Sequence, residues 1–204
     1  MRTLAFQQPQ PEQQLDCAEL VRRVQDGDTE SFSLLVERYQ ERVFNIALRM
    51  IGDYDEADDV AQEAFVNCYR KLDSFRGDSH FTTWIYRITI NVVKNRWKYK
   101  LRRGANKTFS LHTINEPGEQ TLEEQLPSKQ ANPRQLAQGA EIQAILMRKM
   151  DEMHPDFKEV LVLRCMESLS YNEIAECLDC SIGTVKSRLH RAREILKEKM
   201  HKYL

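Results

Sequence analysis

The sequence predicts an all-α protein with two small helical domains joined by a flexible linker. Proline is absent between Glu12 and Glu116 and again after Pro155, so both stretches are free to be helical. Apolar residues recur there at steps of three and four, and the alternation typical of strands is missing. A polar, proline-containing stretch separates the two. The predicted divisions are a tail (1–15), a first domain (16–104), a linker (105–133) and a second domain (134–204).

The composition is ordinary for a folded globular protein, with 41% hydrophobic and 30% charged residues. No apolar run approaches the roughly 18 residues needed to cross a bilayer. The first residues, MRTLAFQQPQPEQQ, lack the apolar core of a signal peptide and have the composition of a flexible tail. The five cysteines are an odd number and are scattered through apolar positions. We therefore expect a reduced, cytoplasmic protein.

In the first domain, Gly27, Gly52 and Gly77 are predicted to separate helices. Asp53 followed by Glu56 is a capping-box pattern, which favours a helix start at this point. Two apolar stripes of helical spacing follow. The first contains Ala57, Val60, Ala61, Ala64, Phe65, Cys68 and Leu72, and the second contains Phe81, Trp84, Ile85, Ile88 and Val92.

The second domain ends in a predicted helix-turn-helix. Ser170 and Glu173 form another capping box and start a short helix through Leu178. Asp179 occupies a turn position where glycine is usual, and aspartate tolerates a left-handed backbone. Ser181 can cap a longer helix. The predicted buried face of this helix contains Ile182, Val185, Leu189, Ala192 and Leu196.

The outward face of that longer helix is suited to duplex DNA. Seven Lys/Arg against two Glu between Thr184 and Lys202 leave a local excess of five positive charges. Short hydroxyl groups near the helix start suit base edges, and long cations further along suit phosphates. The alternative is a solvated basic face on an ordinary helical hairpin. The candidate DNA-contacting residues are Thr184, Lys186, Ser187, Arg188 and Arg191, with Ser181 at the helix start.

Two charged blocks distinguish the first domain. Residues 53–63 contain six acids and no base, and residues 86–107 contain eight Lys/Arg and no acid. Either block could be solvated helix surface. In the basic block, however, aromatic and amide side chains alternate with the cations, an arrangement that suits bases outside a duplex stack. Trp84 fits a core position equally well, since it belongs to the apolar stripe.

Three stretches together resemble the extracytoplasmic-function (ECF) group of bacterial sigma factors. They are SFSLLVERYQERVFNIALRM, DEADDVAQEAFVNCYRKLDSFRGDSHFTTWIYRITINVVKNRW and LSYNEIAECLDCSIGTVKSRLHRARE, and the resemblance runs from about Leu20 to Leu196. It implies that the first domain is sigma region 2 and the second is sigma region 4. It also implies binding to core RNA polymerase, at the β′ clamp helices and the β flap, to promoter DNA and to an anti-sigma factor. The implied clamp-docking residues are Asp55, Asp58, Asp59, Gln62 and Glu63.

The resemblance also implies which residues meet each promoter element. The loop FRGDSHFTTW and the helix RITINVVKNRW correspond to the segment that opens and recognises the −10 element, and the loop from Phe75 to Phe81 is expected to trap a flipped base. The helix-turn-helix corresponds to the part that binds the −35 element, and the linker to a segment in the RNA exit path. The implied −10 residues are Phe75, Arg76, Ser79, His80, Phe81, Trp84, Arg87, Asn91, Lys94, Asn95, Arg96 and Lys98, with Lys100 as a further phosphate contact.

Two alternatives remain at this level. A stand-alone helix-turn-helix regulator would share the S..EIA..L..S..TVK pattern, but it would leave the basic block without a purpose. A redox or metal sensor could use Cys177 and Cys180, whose C-x-x-C spacing suits thiolate ligands, although core packing is favoured for both. No phosphate loop, H-E-x-x-H or G-x-S-x-G motif is present, so neither an enzyme nor a cofactor is predicted. His154 before Pro155 is interpreted as a helix start.

Overall fold

The computed structural model describes residues 16–102 and 145–203. Within these ranges the chain is helical and contains no strand, which confirms the all-α prediction. The chain forms two compact units, one made mainly of residues up to Arg96 and the other mainly of later residues. The predicted tail and linker lie outside the described residues. None of the described helices is both long and apolar enough to pass through a bilayer.

The first unit contains four helices and a short 3-10 turn. In chain order the elements are α1 (Cys17–Gln25), α2 (Thr29–Ile51), α3 (Tyr54–Lys71), the 3-10 turn Leu72–Ser74 and α4 (Phe81–Arg102), which continues past Arg96. Helices α1 and α3 both pack against α2. The predicted α3 stripe forms part of this core, because Ala57, Val60, Ala64 and Cys68 are fully buried.

Local capping explains where the helices of the first unit begin and end. Asp28 accepts hydrogen bonds from the backbone N–H groups of Glu30 and Ser31 at the start of α2. Gly52 ends α2 with φ +82°, a left-handed conformation that side chains disfavour. The Asp53 carboxylate then accepts from the Glu56 N–H at 2.9 Å and starts α3. The end of α2 at Gly52 and the start of α3 at Asp53 agree with the prediction.

The second unit begins, within the described residues, with helical residues 145–151. It continues with α5 (Pro155–Leu161), a π-helical turn (Val162–Met166), α6 (Tyr171–Leu178) and α7 (Ile182–Met200). Helix α5 packs along α7. His154 Nδ1 accepts from the Asp156 N–H at 3.3 Å, which confirms the helix start predicted there.

The predicted helix-turn-helix is confirmed in α6, its turn and α7. The Ser170 N–H and hydroxyl both donate to Glu173, and the Glu173 N–H donates back to the Ser170 hydroxyl, as a capping box requires. Asp179 has φ +52°, so aspartate does take the left-handed turn position. Ser181 Oγ accepts from the Thr184 N–H at 3.0 Å and caps α7.

Two predicted core residues of α7 are not buried. Val185, Leu189 and Ala192 are buried as expected, but Leu196 is half-buried and Ile182 is 45% exposed. Helical side chains tilt toward the N-terminus of their helix. Ile182 is the first residue of α7, so its side chain extends past the end of the packed surface.

Candidate protein and nucleic-acid interfaces

The predicted docking residues share the outer side of α3. The buried alanine and valine stripe faces α2, which forces the opposite side of α3 toward solvent. The Gln62 side-chain amide donates to the Asp58 carboxylate at 2.8 Å, one turn away on this surface. The structure thus brings the whole predicted set together. This acidic face consists of Asp55, Asp58, Asp59, Gln62 and Glu63, all of them exposed.

Two apolar residues extend the acidic face toward the end of α3. Val66 is 48% exposed and Tyr69 is 46% exposed, which is unusual for such side chains on a helix that packs well elsewhere. They follow Gln62 by four and seven residues and therefore lie on the same side of the helix. The Tyr69 ring also packs on Phe32 of α2, with ring centroids 4.9 Å apart. The face is acidic at one end and apolar at the other.

Asp59 at the edge of the acidic face meets a cation of α4. An Arg96 guanidinium nitrogen lies 3.6 Å from the Asp59 carboxylate; the Asp59 side chain is exposed and that of Arg96 is half-buried. The predicted polymerase contact Asp59 and the predicted phosphate contact Arg96 are therefore neighbours within the first unit.

Three aromatic rings form a corner where the 3-10 turn leads to α4. The Phe75 ring lies 4.9 Å from Trp84 and 6.0 Å from Phe81, measured between centroids, and Phe81 also packs on Tyr39. Phe81 and Trp84 are buried, whereas Phe75 is half-buried. Phe81 and Trp84, which the resemblance implies as −10 residues, thus pack mainly among the other rings of this corner. The two rings support Phe75 and the loop after it.

Gln25 of α1 holds this aromatic corner in place. Its side-chain amide donates to the Leu72 carbonyl and to the Phe75 carbonyl, each at 2.9 Å. Both partners are almost fifty residues away in sequence, so no local pattern indicates this role. The loop that follows contains exposed Arg76 and His80 and half-buried Ser79, and it turns at Gly77, whose φ is +76°.

The change Gln25→Met keeps the size of the side chain and removes both donors. A net 0.5–1.5 kcal/mol per hydrogen bond predicts a loss of about 1–3 kcal/mol in the free energy of unfolding, measured by urea denaturation. Gln40→Met, at an exposed position of α2, is the matched control and is expected to change stability by less than about 0.5 kcal/mol. Equal effects of the two substitutions would show that the Gln25 contacts contribute nothing.

Cations and amides line one side of α4 directly after the aromatic corner. We call this set the basic stripe, and at 100° per residue its members fall within about 100°, less than a third of the helix circumference. It spans about 16 Å along the axis, which is the rise of about five stacked nucleotides of one strand. The same arithmetic puts Arg96 half a turn away from Arg87. The stripe consists of Arg87, Asn91, Lys94, Asn95 and Lys98, and its amides and Lys98 are exposed.

The exposed side of α7 presents a compact polar surface. The Ser181 and Thr184 hydroxyls lie 2.9 Å apart at the helix start, and the Ser187 hydroxyl donates to the Thr184 carbonyl. His190 is exposed and follows Ser187 by three residues, so it belongs to this surface although its role was not predicted. Helical spacing was the available signal for it. The recognition face consists of Lys186, Ser187, His190 and Arg191, all exposed.

Arg188, a predicted DNA contact, lies against α5 in the structure. Its guanidinium turns toward α5, where one nitrogen lies 2.7 Å from the Asp156 carboxylate and another 3.1 Å from the Glu159 carboxylate. The Glu159 side chain is fully buried. In this structure Arg188 is engaged within the protein instead of joining the recognition face.

The cysteines are free thiols. Cys177 is buried and Cys180 is half-buried, and burial raises the pKa of the Cys68 thiol to about 12. Among residues 16–102 and 145–203, no group of three or more His, Cys, Asp or Glu side chains is arranged to hold a metal ion.

Comparison with known proteins places both units. The family model described as Sigma-70 region 2 matches residues 35–103, and the model described as Sigma-70 region 4 matches residues 143–196. The ECF RNA polymerase sigma-E factor of Escherichia coli K12 is 40% identical over 189 residues, which cover 92% of this chain and 96% of that protein. The RNA polymerase sigma-H factor of Pseudomonas aeruginosa is 38% identical over 187 residues, covering 91% and 94%.

Two solved structures share the fold at lower identity. CnrH, determined in complex with the cytosolic domain of CnrY, matches with a TM-score of 0.60 and 21% identity over 90% of this chain and 96% of that one. The sigma factor RpoE of Bartonella quintana, determined in complex with the anti-sigma factor NepR, matches with a TM-score of 0.62 and 20% identity over 85% and 98%. These two structures agree with the fold alone. The family models and the relatives that are 38–40% identical show that the chain belongs to the ECF group of sigma-70-family RNA polymerase sigma factors.

Proposed function

We propose that this chain directs core RNA polymerase to a set of promoters and helps to open them, using separate surfaces for the enzyme and for DNA. The observation that carries the proposal is the presence, in one chain, of an exposed acidic face and two distinct cationic surfaces. The family acts in transcription initiation. RNA synthesis belongs to the polymerase, and the chain itself acts as a specificity subunit without a catalytic step.

The acidic face is the proposed docking surface for the β′ clamp helices. Its carboxylates would pair with cations of that partner, and such complementary charges raise the association rate and reject wrong partners. Val66 and Tyr69 would add an apolar contact at one end, because desolvated tyrosines contribute strongly to protein interfaces. The second unit would contact the β flap at the same time.

The basic stripe and the loop before it are the proposed −10 surface. Lys94 and Lys98 would follow the phosphates, and the loop from Phe75 to Phe81 would receive a base flipped from the non-template strand, with Asn91 close enough to recognise it. Flipping costs a few kcal/mol. Stacking returns about 1–3 kcal/mol per base, so Phe75 together with an amide hydrogen bond would offset most of that cost.

The recognition face of α7 is the proposed −35 surface. The second helix of a helix-turn-helix enters the major groove, and the residues near its N-terminal end meet the base edges. Ser187 and His190 would meet base edges, and Lys186 and Arg191 would meet bases or phosphates, since all four side chains are exposed. The excess of five positive charges between Thr184 and Lys202 would give the binding a marked salt dependence.

An anti-sigma factor is the proposed regulator. One structural neighbour was determined in complex with an anti-sigma factor. A partner that covered the acidic face or either DNA surface of this chain would block its function. We place the protein in the cytoplasm, where the polymerase and the promoters are found.

Run-off transcription on genomic fragments tests the proposal. Core polymerase with the purified chain is expected to produce transcripts from a few defined start sites, and core polymerase alone is not. A mobility-shift assay with the chain alone distinguishes a sigma factor from a stand-alone regulator, because a stand-alone regulator binds its duplex site specifically without polymerase. Specific duplex binding combined with no transcript would favour the stand-alone regulator and overturn the proposal.

A further inference from the structure

We infer that Arg188 is a positioning residue, which fixes the orientation of the recognition helix α7 on α5 instead of contacting a base. The inference rests on the proposed −35 function of α7, and it concerns how that function is achieved. It also reverses the expectation from the sequence, where Arg188 stands among the residues that contact DNA.

The geometry joins the two helices at a fixed point. Asp156 and Glu159 are three residues apart and therefore lie one turn apart on the same side of α5. Different guanidinium nitrogens of Arg188 pair with the two carboxylates, at 2.7 Å and 3.1 Å. The planar guanidinium presents its donors in a rigid fork, so the two contacts together define an orientation as well as an attraction.

Burial makes these contacts hard to exchange for DNA. The Glu159 side chain is fully buried, and the Arg188 side chain is itself largely covered. Moving the guanidinium to a base or a phosphate would withdraw it from a carboxylate that has no contact with solvent. A DNA contact of Arg188 would first have to offset that cost, whereas the Arg191 and Lys186 side chains are already exposed to solvent.

The contacts control the roll of α7 about its own axis. Arg188 directly follows Ser187, and Arg191 stands one turn further along. Side chains reach about 5–6 Å from the helix axis, so a roll of 20° would move their tips by about 2 Å. Recognition requires placement within about 0.5 Å and 10–20°. A guanidinium anchored on α5 therefore keeps Ser187, His190 and Arg191 directed outward.

The first test is a double-substitution cycle on thermal stability of the full chain. Arg188→Met is expected to lower the melting temperature by at least about 10 °C, because it removes the cation beside a buried carboxylate. The Glu159→Gln substitution in the Arg188→Met background is expected to cost much less than it does in the natural chain. Arg193→Met, at an exposed position of α7, is the control and is expected to change little. Strictly additive effects would overturn the inference, and this cycle needs no polymerase.

The second test measures promoter selection with reconstituted holoenzyme and templates randomised across the −35 element. Glu159→Gln leaves Arg188 intact, so it separates the two roles even if Arg188→Met fails to fold. A positioning role predicts that Glu159→Gln lowers the use of all −35 sequences by a similar factor of about 10. A role in base contact predicts unchanged use for Glu159→Gln and relaxed selectivity at one position for Arg188→Lys, and this result would also overturn the inference. Transcription by the unchanged holoenzyme checks the proposed function separately.

Discussion

Replacing Asp58 and Asp59 by lysine is expected to weaken binding to core RNA polymerase at least about 100-fold. Each substitution removes an attraction and introduces a repulsion on the acidic face. Close charge pairs at interfaces couple by about 1.5–7 kcal/mol, and 100-fold corresponds to only about 2.7 kcal/mol. Both side chains are exposed, and losing the Asp59–Arg96 pair should lower the free energy of unfolding by only about 1 kcal/mol.

The affinity should be measured by titrating labelled protein with core polymerase at about 0.15 M salt, where surface charges more than about 8 Å apart are screened. The control is Glu37→Lys with Glu41→Lys on α2, which makes the same charge change at exposed positions outside the acidic face. Thermal melts of both variants check the fold. Unchanged affinity of the Asp58 and Asp59 variant, or an equal loss in the control, would remove the acidic face as the docking surface.

Asn91→Ala is expected to slow promoter opening by about 5–150-fold while leaving the first, closed complex intact. An amide that recognises a flipped base contributes about 1–3 kcal/mol, and it does so only after the base has left the stack. The helix-turn-helix contacts are made before opening, and Asn91 belongs to the other unit. The loss should therefore appear in the opening step.

A fluorescent base analogue in the −10 element reports opening, and a mobility shift on fully paired DNA reports the closed complex. Asn45→Ala, exposed on α2, is the matched control and should behave like the natural chain. Equal weakening of the closed complex and of opening by Asn91→Ala would contradict the division of labour between the two units.

Local features of this fold were predictable because their causes are local. Ser170 with Glu173, Gly52 and the left-handed Asp179 depend on neighbours within four residues, and each adopts the predicted conformation. Helical spacing alone was also enough to predict that His190 lies on the exposed side of α7 and that Arg96 lies away from the basic stripe.

Contacts between distant segments were not predictable in this way. Arg188 meets carboxylates 29 and 32 residues earlier, and Gln25 meets carbonyls 47 and 50 residues later. Both contacts depend on how helices pack, which a periodic pattern does not specify. The spacing around Trp84 allowed either burial or DNA contact, and only the packing of Phe75 and Phe81 against it decided for burial.

The contact between Arg96 and Asp59 has a thermodynamic consequence for assembly. At 3.6 Å between partially exposed groups, such a pair stabilises a protein by less than about 1 kcal/mol and weakens further with salt. Either member can be transferred to another molecule almost without penalty. Binding of α3 to the polymerase or of α4 to nucleic acid therefore loses little free energy when the Asp59–Arg96 pair is broken.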